Sequence, residues 1–238
     1  MGVSGFFDRL FNRKKAASKA SVDIKTAPLS EEQLFTVTRH ELPVQPSQYL
    51  VGCAQSVGLL RDHNEDNLFV LNTVLAGGDK EIPAGIFIVA DGMGGHEHGE
   101  VASSVAARVM ADHMLANLHG LFTGGGMSEP GTSLQEILAT GVTAAQSAVV
   151  NKAPGGGTTL TVALALGSQI ILAHVGDSRA YLLTPRGEMH AVTQDHSLVQ
   201  RLIELGEITE EEARVYPHRN VLYRAIGQED TLHPDIHT

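Results

Sequence analysis

The sequence predicts an α/β fold, more narrowly an α+β fold, in which antiparallel strands form the sheet and two long helices pack on it. Two pairs of apolar segments are separated by short turn sequences, Gly167-Ser168 and Pro185-Arg186-Gly187, and each pair predicts a β-hairpin. Two longer segments repeat apolar residues at helical spacing. The chain has 238 residues, of which 42% are hydrophobic, and this suits one domain with its own core plus an appendage.

Strand signals recur along the chain. Residues 50–60 and 67–75 lie on either side of a charged stretch, and both are predicted to be strands. Residues 86–90, IFIVA, are apolar without interruption, which predicts a strand buried on both faces. Residues 159–166 and 170–176 are the two strands of the first predicted hairpin.

Helix signals occupy the segments between the strands. Valines recur every four residues after the glycines near residue 95 and predict a first helix. A Gly-rich loop is predicted over residues 119–132, and Ser133 with Glu136 forms a capping box that opens a second helix. Apolar residues at 198–203 predict a short third helix that ends at Gly206.

Charge is unevenly distributed. The net charge is −10, yet residues 1–30 carry six Lys/Arg against two Asp, so the remainder of the chain carries −14. An acidic body repels the phosphate backbone of nucleic acids, so we expect no nucleic acid among the partners. The same charge favours the binding of cations.

Residues 1–48 are predicted to be a flexible basic leader, and residues 49–238 a folded domain. The apolar residues at 6–11 allow two interpretations, a segment that docks on a membrane surface or partner, and a frayed terminus. No apolar run is long enough to span a bilayer. The single cysteine, Cys53, excludes an internal disulfide and indicates a cytoplasmic protein.

Two acidic segments border the predicted strands, Glu65-Asp66 and Asp91-Gly92. Asp91 directly follows an apolar strand, so its carboxylate is expected to be in surroundings of low dielectric constant, where it needs a cation or a proton. Gly92 has no Cβ, so its carbonyl can approach a bound group closely. Two carboxylates about 5 Å apart repel by roughly 3 kcal/mol at an effective dielectric constant near 20, and a divalent metal removes that repulsion. Oxygen ligands suit Mg²⁺ or Mn²⁺.

Each of these segments alone has an ordinary explanation. Asp91-Gly92 and Gly176-Asp177 both suit a turn, and Arg61 suits an ion pair with Asp66 as well as it suits a phosphate. The GGGTT sequence at 155–159 suits a flexible loop, and it lacks the Gly-Lys-Ser/Thr ending of a P-loop.

Taken together and in order, the segments resemble the metal-dependent protein phosphatase family, protein phosphatase 2C (PPM), in its short bacterial serine/threonine phosphatase form. The resemblance covers about residues 50–228. The stretches that carry it are SVGLLRDHNEDNLFV, FIVADGMGGHEHGEVAS, GGTTLTVALAL, AHVGDSRAYLL, TQDHSLVQRLIELGEIT and PHRNVLYRAIG. It implies a four-layer fold, an antiparallel β-sandwich flanked by helix pairs, with the metal site at one end of the sandwich.

The resemblance also implies the metal ligands. Glu65 and the carbonyl of Gly92 would hold one ion, and Asp91 would bridge two. Asp177 would serve a third, more weakly held ion. The cofactor is therefore expected to be Mn²⁺ or Mg²⁺, as two or possibly three ions.

Other roles follow from the same resemblance. Arg61 would bind the substrate phosphate, and Asp66 would orient a metal-bound water. The segment from about 195 to 225 would be a flap that shapes access for the substrate. Arg179 and Arg219 are expected to be structural.

The chain departs from the family pattern at two places. It ends at HPDIHT, before the family's later Asp-Gly-Leu and Asp-Asn motifs, so we expect a domain that lacks its last strands and helix and is incomplete at the C-terminus. Unpaired edges and uncovered apolar faces would then make it prone to aggregate. Met93 occupies the position where some members carry a histidine that is the proposed general acid.

The implied function is hydrolysis of phosphoserine and phosphothreonine in proteins by metal-activated water, without a covalent intermediate. The expected partners are phosphorylated proteins, substrates of a serine/threonine kinase, and the complete fold is expected to be a monomer. The alternative is a non-catalytic phosphoprotein-binding or regulatory module, a truncated pseudophosphatase. A fragment of a longer enzyme is a third explanation of the early stop.

Overall fold

The structure, a computed structural model, describes residues 48–59, 62–77, 80–94, 97–123, 132–228 and 232–238. Residues 1–47 of the predicted leader and Arg61 lie outside the described residues. The leader, its docking function and the phosphate-binding role of Arg61 therefore stay predictions.

The described strands form one large antiparallel sheet and one small hairpin. The large sheet has the order β1-β2-β4-β5-β8, with β3 pairing to the end of β2, and β6 pairs with β7 separately. The strand bounds are β1 Asp66–Gly77, β2 Lys80–Met93, β3 Gly157–Thr158, β4 Leu160–Leu166, β5 Gln169–Val175, β6 Tyr181–Leu183, β7 Met189–Ala191 and β8 Asp235–His237. The two predicted hairpins, β4–β5 and β6–β7, are confirmed.

Four described helices accompany the sheet: α1 Glu97–Thr123, α2 Leu134–Lys152, α3 Leu198–Glu204 and α4 Glu210–Val215. Ser133 is the N-cap of α2 and accepts a hydrogen bond from the amide of Glu136, as predicted. After α3, Gly206 has a φ of 71°, the left-handed conformation that ends a helix and that glycine adopts without strain. The predicted start of the Gly-rich loop is wrong by five residues, because α1 continues to Thr123.

The core lies between the sheet and the pair α1 and α2. Ile86, Ile88 and Leu164 are buried on the sheet side, and Met110 and Val142 are buried on the helix side. Full burial of one such side chain contributes about 1.5–3 kcal/mol. A Cβ at Gly141 of α2 would lie 2.7 Å from the sulfur of Met110, so glycine permits the close approach of the two helices.

The sheet presents only one face to these helices. Along β2, Ile86, Ile88 and Ala90 are buried, whereas Phe87 is partly exposed and Val89 is 47% exposed. The prediction of a strand buried on both faces is therefore wrong. Alternate side chains of a strand point to opposite faces, and the face that carries Phe87 and Val89 has no helix packed on it in the described part of the chain.

The prediction of a strand over residues 50–60 is also wrong. Residues 48–57 form no strand, although side-chain hydrogen bonds attach this segment to the domain. Tyr49 donates its hydroxyl to the carbonyl of Gly167 at 2.6 Å, and Gln55 donates to the carbonyl of Asp66 at 3.1 Å. A strand requires a neighbour that completes a ladder of backbone hydrogen bonds, and the described residues place none beside this segment.

An antiparallel sheet with packed helices agrees with the predicted α+β class. A full second layer of strands, as the resemblance implied, is not seen among the described residues, where the strands outside the large sheet are β6 and β7. Within the described residues, no helix combines the length and the apolar character that crossing a membrane demands.

The outer face of the sheet, defined here by Val70, Val89 and Ile170, is 37–49% exposed at these three side chains. We expect the 238-residue chain to self-associate through this face, because contiguous exposed apolar surface favours association. The double substitution Val89→Lys and Ile170→Lys should lower the concentration-dependent increase in molar mass measured by sedimentation velocity. Val150→Lys is the control, since Val150 is similarly exposed at 38% but lies on α2. A monodisperse monomer for the unmodified chain at all concentrations would contradict the expectation.

His174 on β5 is completely buried. Its Nδ1 lies 2.9 Å from the hydroxyl of Thr161, and its Nε2 lies 3.2 Å from the carbonyl of Gln194, so the ring is satisfied in its neutral form. Burial, followed by the nearby His196, lowers the pKa of His174 from 6.5 to about 4.

This shift predicts a pH-dependent stability. Between pH 6.5 and about 4 the unfolded chain binds a proton at His174 that the folded chain does not. The free energy of unfolding therefore has its full value above pH 6.5 and decreases as the pH falls toward 4. The shift corresponds to roughly 3 kcal/mol at most. His174→Gln should reduce the dependence of the free energy of unfolding on pH in urea titrations. The exposed His190→Gln is the matched control, and equal pH profiles for both variants would refute the assignment.

Candidate functional site

The register of β1 and β2 brings the two predicted aspartates together. Asp66 is paired directly with Asp91 at the open end of this antiparallel pair. Directly opposite residues share a face of the sheet and have Cβ atoms about 4.5–5.5 Å apart. The two carboxyl groups are therefore neighbours, and their like charges favour a cation between them.

The prediction that Asp91 lies in buried surroundings is wrong. The residue is solvent-exposed, because it lies on the outer face of the sheet, beyond the helix-covered end of β2. Solvent therefore screens the repulsion between the carboxylates of Asp91 and Asp66. The repulsion is weaker than the roughly 3 kcal/mol that was expected from the sequence. A cation remains favourable here, but burial does not impose it.

Glu65 is the buried acid of the site, with only 6% of the residue exposed. Its backbone carbonyl accepts hydrogen bonds from the amide of Gly92 at 3.2 Å and from the hydroxyl of Ser103 at 2.6 Å. Its carboxylate lies 3.4 Å from Nε2 of His63. The carboxylate occupies space that Gly99 leaves open, since Oε2 lies 3.0 Å from where a Cβ of Gly99 would be.

Gly92 is also required for close backbone packing, a reason that the sequence did not indicate. A Cβ at this position would lie 2.3 Å from the carbonyl oxygen of Gly99 and 2.6 Å from that of Glu65. Three backbone segments therefore meet at Gly92, and only glycine lets the start of α1 approach the end of β2 this closely. Met93, the next residue, has its side chain against Gly157 of β3.

The backbone of Asp91 is held by two threonines. Its amide donates to Oγ1 of Thr159 at 2.9 Å. Its carbonyl accepts from the amide of Thr159 and from the hydroxyl of Thr158, both at 2.9 Å. Both threonines are buried, whereas Asp91 is exposed, so these hydrogen bonds are partly shielded from water.

Thr159 also connects Asp91 to the segment that carries Asp177. Its Oγ1 lies 2.7 Å from the hydroxyl of Ser178, and a Cβ at Gly176 would lie 2.6 Å from the Thr159 side chain. Asp177 is an exposed residue, yet partial burial of its carboxyl, together with the charge of Asp195, raises its pKa. Both causes disfavour the ionised carboxylate, and a nearby cation would offset them.

Arg179 has a structural contact, as the sequence suggested. Its guanidinium binds the Asp195 carboxylate in bidentate fashion, with Nε–Oδ1 and Nη2–Oδ2 distances of 2.8 and 2.7 Å. This hydrogen bonding raises the pKa of Arg179 above its usual range.

The predicted flap, residues 195–225, contains α3 and α4. A cavity of about 550 Å³ lies between these helices and the Arg179–Asp195 pair, and its lining excludes the acidic residues near Asp91.

The structure brings together only some of the acidic residues that the sequence predicted as metal ligands. Asp66 and Asp91 are paired, and Glu65 lies beside Gly92, whereas Asp177 is linked to them through Thr159. Across the described ranges, no three His, Cys, Asp or Glu side chains converge as a metal-binding group. The donors that are present, carboxylate and carbonyl oxygens, fit Mg²⁺ or Mn²⁺, and the space opposite Gly99 fits the Glu65 carboxylate.

Sequence reasoning did not assign roles to Thr159, Ser103 or Gly99, which hold the acidic segments in place. Thr159 stands in the GGGTT stretch, and this was the only signal that the sequence gave for it. Ser103 and Gly99 lie in the stretch FIVADGMGGHEHGEVAS, but their contacts were not predictable because their partner Glu65 is more than thirty residues away in the sequence.

Comparison with known proteins identifies the family. The profile described as Protein phosphatase 2C matches residues 53–222. A serine/threonine phosphatase stp of Listeria innocua is 40% identical over 178 residues, which are 75% of this chain and 67% of that protein. The chain belongs to the protein phosphatase 2C family.

Solved structures agree with this result. The serine/threonine phosphatase of S. agalactiae superimposes with a TM-score of 0.60 at 30% identity, over 76% of this chain and 69% of that one. The catalytic domain of the serine/threonine protein phosphatase PstP, solved with two manganese ions, gives a TM-score of 0.54 at 34% identity, over 76% and 67%. The matched part therefore spans about two thirds of each of these relatives, and the family is metal-dependent.

Thr159→Val tests the link to Asp91. The substitution keeps the shape but removes the acceptor of the Asp91 amide, so the free energy of unfolding should fall by about 0.5–1.5 kcal/mol. Thr159→Ser, which keeps the hydroxyl, is the control and should lose less. The measurement is urea unfolding followed by circular dichroism. A loss in Thr159→Val no larger than the loss in Thr159→Ser would contradict a stabilising role for the hydroxyl.

Proposed function

We propose that this chain is a metal-dependent protein phosphatase that hydrolyses phosphoserine and phosphothreonine in proteins. The observation that carries the proposal is the register of β1 and β2, which pairs Asp66 with Asp91 and leaves Glu65 buried beside Gly92. Membership of the family supports it, since the matched relatives are named serine/threonine phosphatases. None of the comparisons favours the non-catalytic alternative.

We assign the ligands accordingly. Glu65 and the carbonyl of Gly92 would hold one ion, Asp91 would bridge two, and Asp177 would serve a third. When bound, the ions would neutralise charge on the phosphoryl oxygens and lower the pKa of a water molecule. The pairs of oxygen donors support Mn²⁺ or Mg²⁺, and the manganese in the PstP structure supports the former.

The chain's own residues would orient the reactants. Asp66, opposite Asp91, would accept a proton or a hydrogen bond from the attacking water. Arg61 would bind the substrate phosphate, since a guanidinium matches phosphate oxygens with paired donors. Asp91 would hold its position because Thr158 and Thr159 bind its backbone on both sides.

Met93 would leave the departing alkoxide without a proton donor at that position, because a thioether carries no proton. The proton must then come from water or from another side chain near the phosphate. This distinguishes the chain from those members that carry a histidine there.

The proposed substrates are proteins phosphorylated by a serine/threonine kinase, and the proposed location is the cytoplasm. The single cysteine supports a reducing compartment, and the acidic body supports partners other than nucleic acid. The complete fold is proposed to act as a monomer.

Asp91→Asn should abolish activity. The amide keeps the shape of the side chain but removes the charge that would bridge two ions, so the rate should fall more than about 100-fold. The measurement is phosphate release from a phosphothreonine peptide with Mn²⁺, and again with a chelator. Asp112→Asn is the matched control, because Asp112 is an exposed acid in the middle of α1. Full activity of Asp91→Asn, or release that a chelator does not reduce, would overturn the proposal.

A further inference from the structure

Gly176, which immediately precedes Asp177, has both of its backbone polar groups bound to one residue. Its amide donates to Nδ1 of His196 at 3.0 Å. Its carbonyl accepts from the amide of His196 at 2.8 Å. Gly176 is buried and has a φ of 112°, so few other residues could occupy this position.

This pair of hydrogen bonds determines the tautomer of His196. A backbone amide can only donate, so Nδ1 must offer its lone pair, and a neutral ring then carries its proton on Nε2. Nε2 lies 3.0 Å from Oδ2 of Asp235 and can donate to it. Arg224 donates to the other oxygen, Oδ1, at 2.7 Å.

The carboxylate of Asp235 stabilises this arrangement of His196 and Arg224. Nη1 of Arg224 lies 3.1 Å from Nε2 of His196, and both atoms are donors, so they depend on the shared carboxylate between them. Burial raises the pKa of Asp235, but hydrogen bonds from His196 and Arg224 outweigh burial and the pKa lies below its usual value. The carboxylate therefore stays charged and fixes the direction of the Nε2–H group.

The ring of His196 is enclosed. The residue is 2% exposed, with the ring of His174 at 5.0 Å on one side and the ring of Tyr223 at 5.8 Å on another. Burial lowers the pKa of His196, and Arg224 lowers it further, while Asp235 and Asp195 act in the opposite direction. The neutral form that Gly176 requires is thus the favoured one.

The same residue closes the predicted flap. The carbonyl of His196 accepts from the amide of Tyr223 at 3.0 Å, and the amide of Leu198 donates to the carbonyl of Val221 at 2.8 Å. Both ends of the 195–225 segment are therefore tied together at His196. His196 also forms the two hydrogen bonds with Gly176, and Asp177 is the next residue in the sequence.

We propose that His196, oriented by Asp235, is a positioning residue that fixes the Gly176-Asp177 segment and with it the Asp177 carboxylate. This inference rests on the proposed function in one respect, the role of Asp177 toward a metal ion. A buried histidine of purely structural importance would affect stability alone, whereas a positioning residue must act through Asp177.

Two substitutions at His196 distinguish the contributions of its two ring nitrogens. His196→Asn places an amide oxygen near the position of Nδ1, so it keeps an acceptor for Gly176. His196→Gln places a donor near the position of Nε2, so it keeps the contact with Asp235 and loses that acceptor. His190→Gln, at an exposed position on β7, is the control.

The first measurement is Mn²⁺ binding, followed by electron paramagnetic resonance of the free ion, so that it does not depend on turnover. His196→Gln should weaken binding of the most weakly held ion about 10-fold, the usual cost of losing a residue that orients a ligand, and His196→Asn should weaken it less. Adding His196→Gln to Asp177→Asn should cause no further loss, because His196 would act only through the carboxylate that Asp177→Asn removes.

Hydrogen exchange of the peptide that contains Gly176, measured by mass spectrometry, is the second readout. Exchange should be faster in His196→Gln than in His196→Asn. Asp235→Asn, which alters the network from its partly exposed side, should give the same pattern if both His196 variants fold poorly. Additive losses with Asp177→Asn, or equal exchange in all variants, would overturn the inference. Absence of phosphate release from the unmodified chain would refute the proposed function only, since binding and exchange still decide the role of His196.

Discussion

The antiparallel register between β1 and β2 is the constraint on which the site depends. Because side chains alternate between faces, the register that buries Ile86 and Ile88 under the helices also places Asp66 opposite Asp91 on the other face. A slip by one residue would exchange the two faces and lose both the core and the acidic pair. The apolar residues of β2 thus specify, at a distance, where the carboxylates lie. Core formation and site assembly are therefore one event along this hairpin.

Close packing of the backbone at the end of β2 is a second constraint on the site. The start of α1 reaches the site only because Gly92 and Gly99 lack side chains, and the same space accommodates the carboxylate of Glu65. Ser103, one turn further along α1, binds the Glu65 carbonyl. A helix that covers the core therefore also orients an acid at the sheet's edge, and any loss of helix packing would displace Glu65.

Local sequence signals predicted those parts of the fold that local chemistry determines. The tight turns of both hairpins and the Ser133 cap were found because each depends on residues a few positions apart. The exposure of Val89 was not predictable, since an apolar run does not reveal whether a second layer covers its other face. The strand at 50–60 was wrong for a related reason, as a strand exists only with a partner. Candidate acids were recognised by pattern, but the contacts of Thr159 and His196 join segments that the sequence keeps far apart.

These long-range contacts explain how acids on different strands can act as one site. Asp91 is bound through its backbone to Thr159, Thr159 meets Ser178, and the segment with Asp177 is bound in turn by His196. Each link is a hydrogen bond between backbone, hydroxyl or ring groups, and none of these three bonds uses a carboxylate oxygen. If the ligands instead carried these structural hydrogen bonds, metal binding would have to break them. Support by backbone and hydroxyl groups gives the acidic segments a defined position without a deep pocket, and the cavity beside α3 and α4 is lined by other residues.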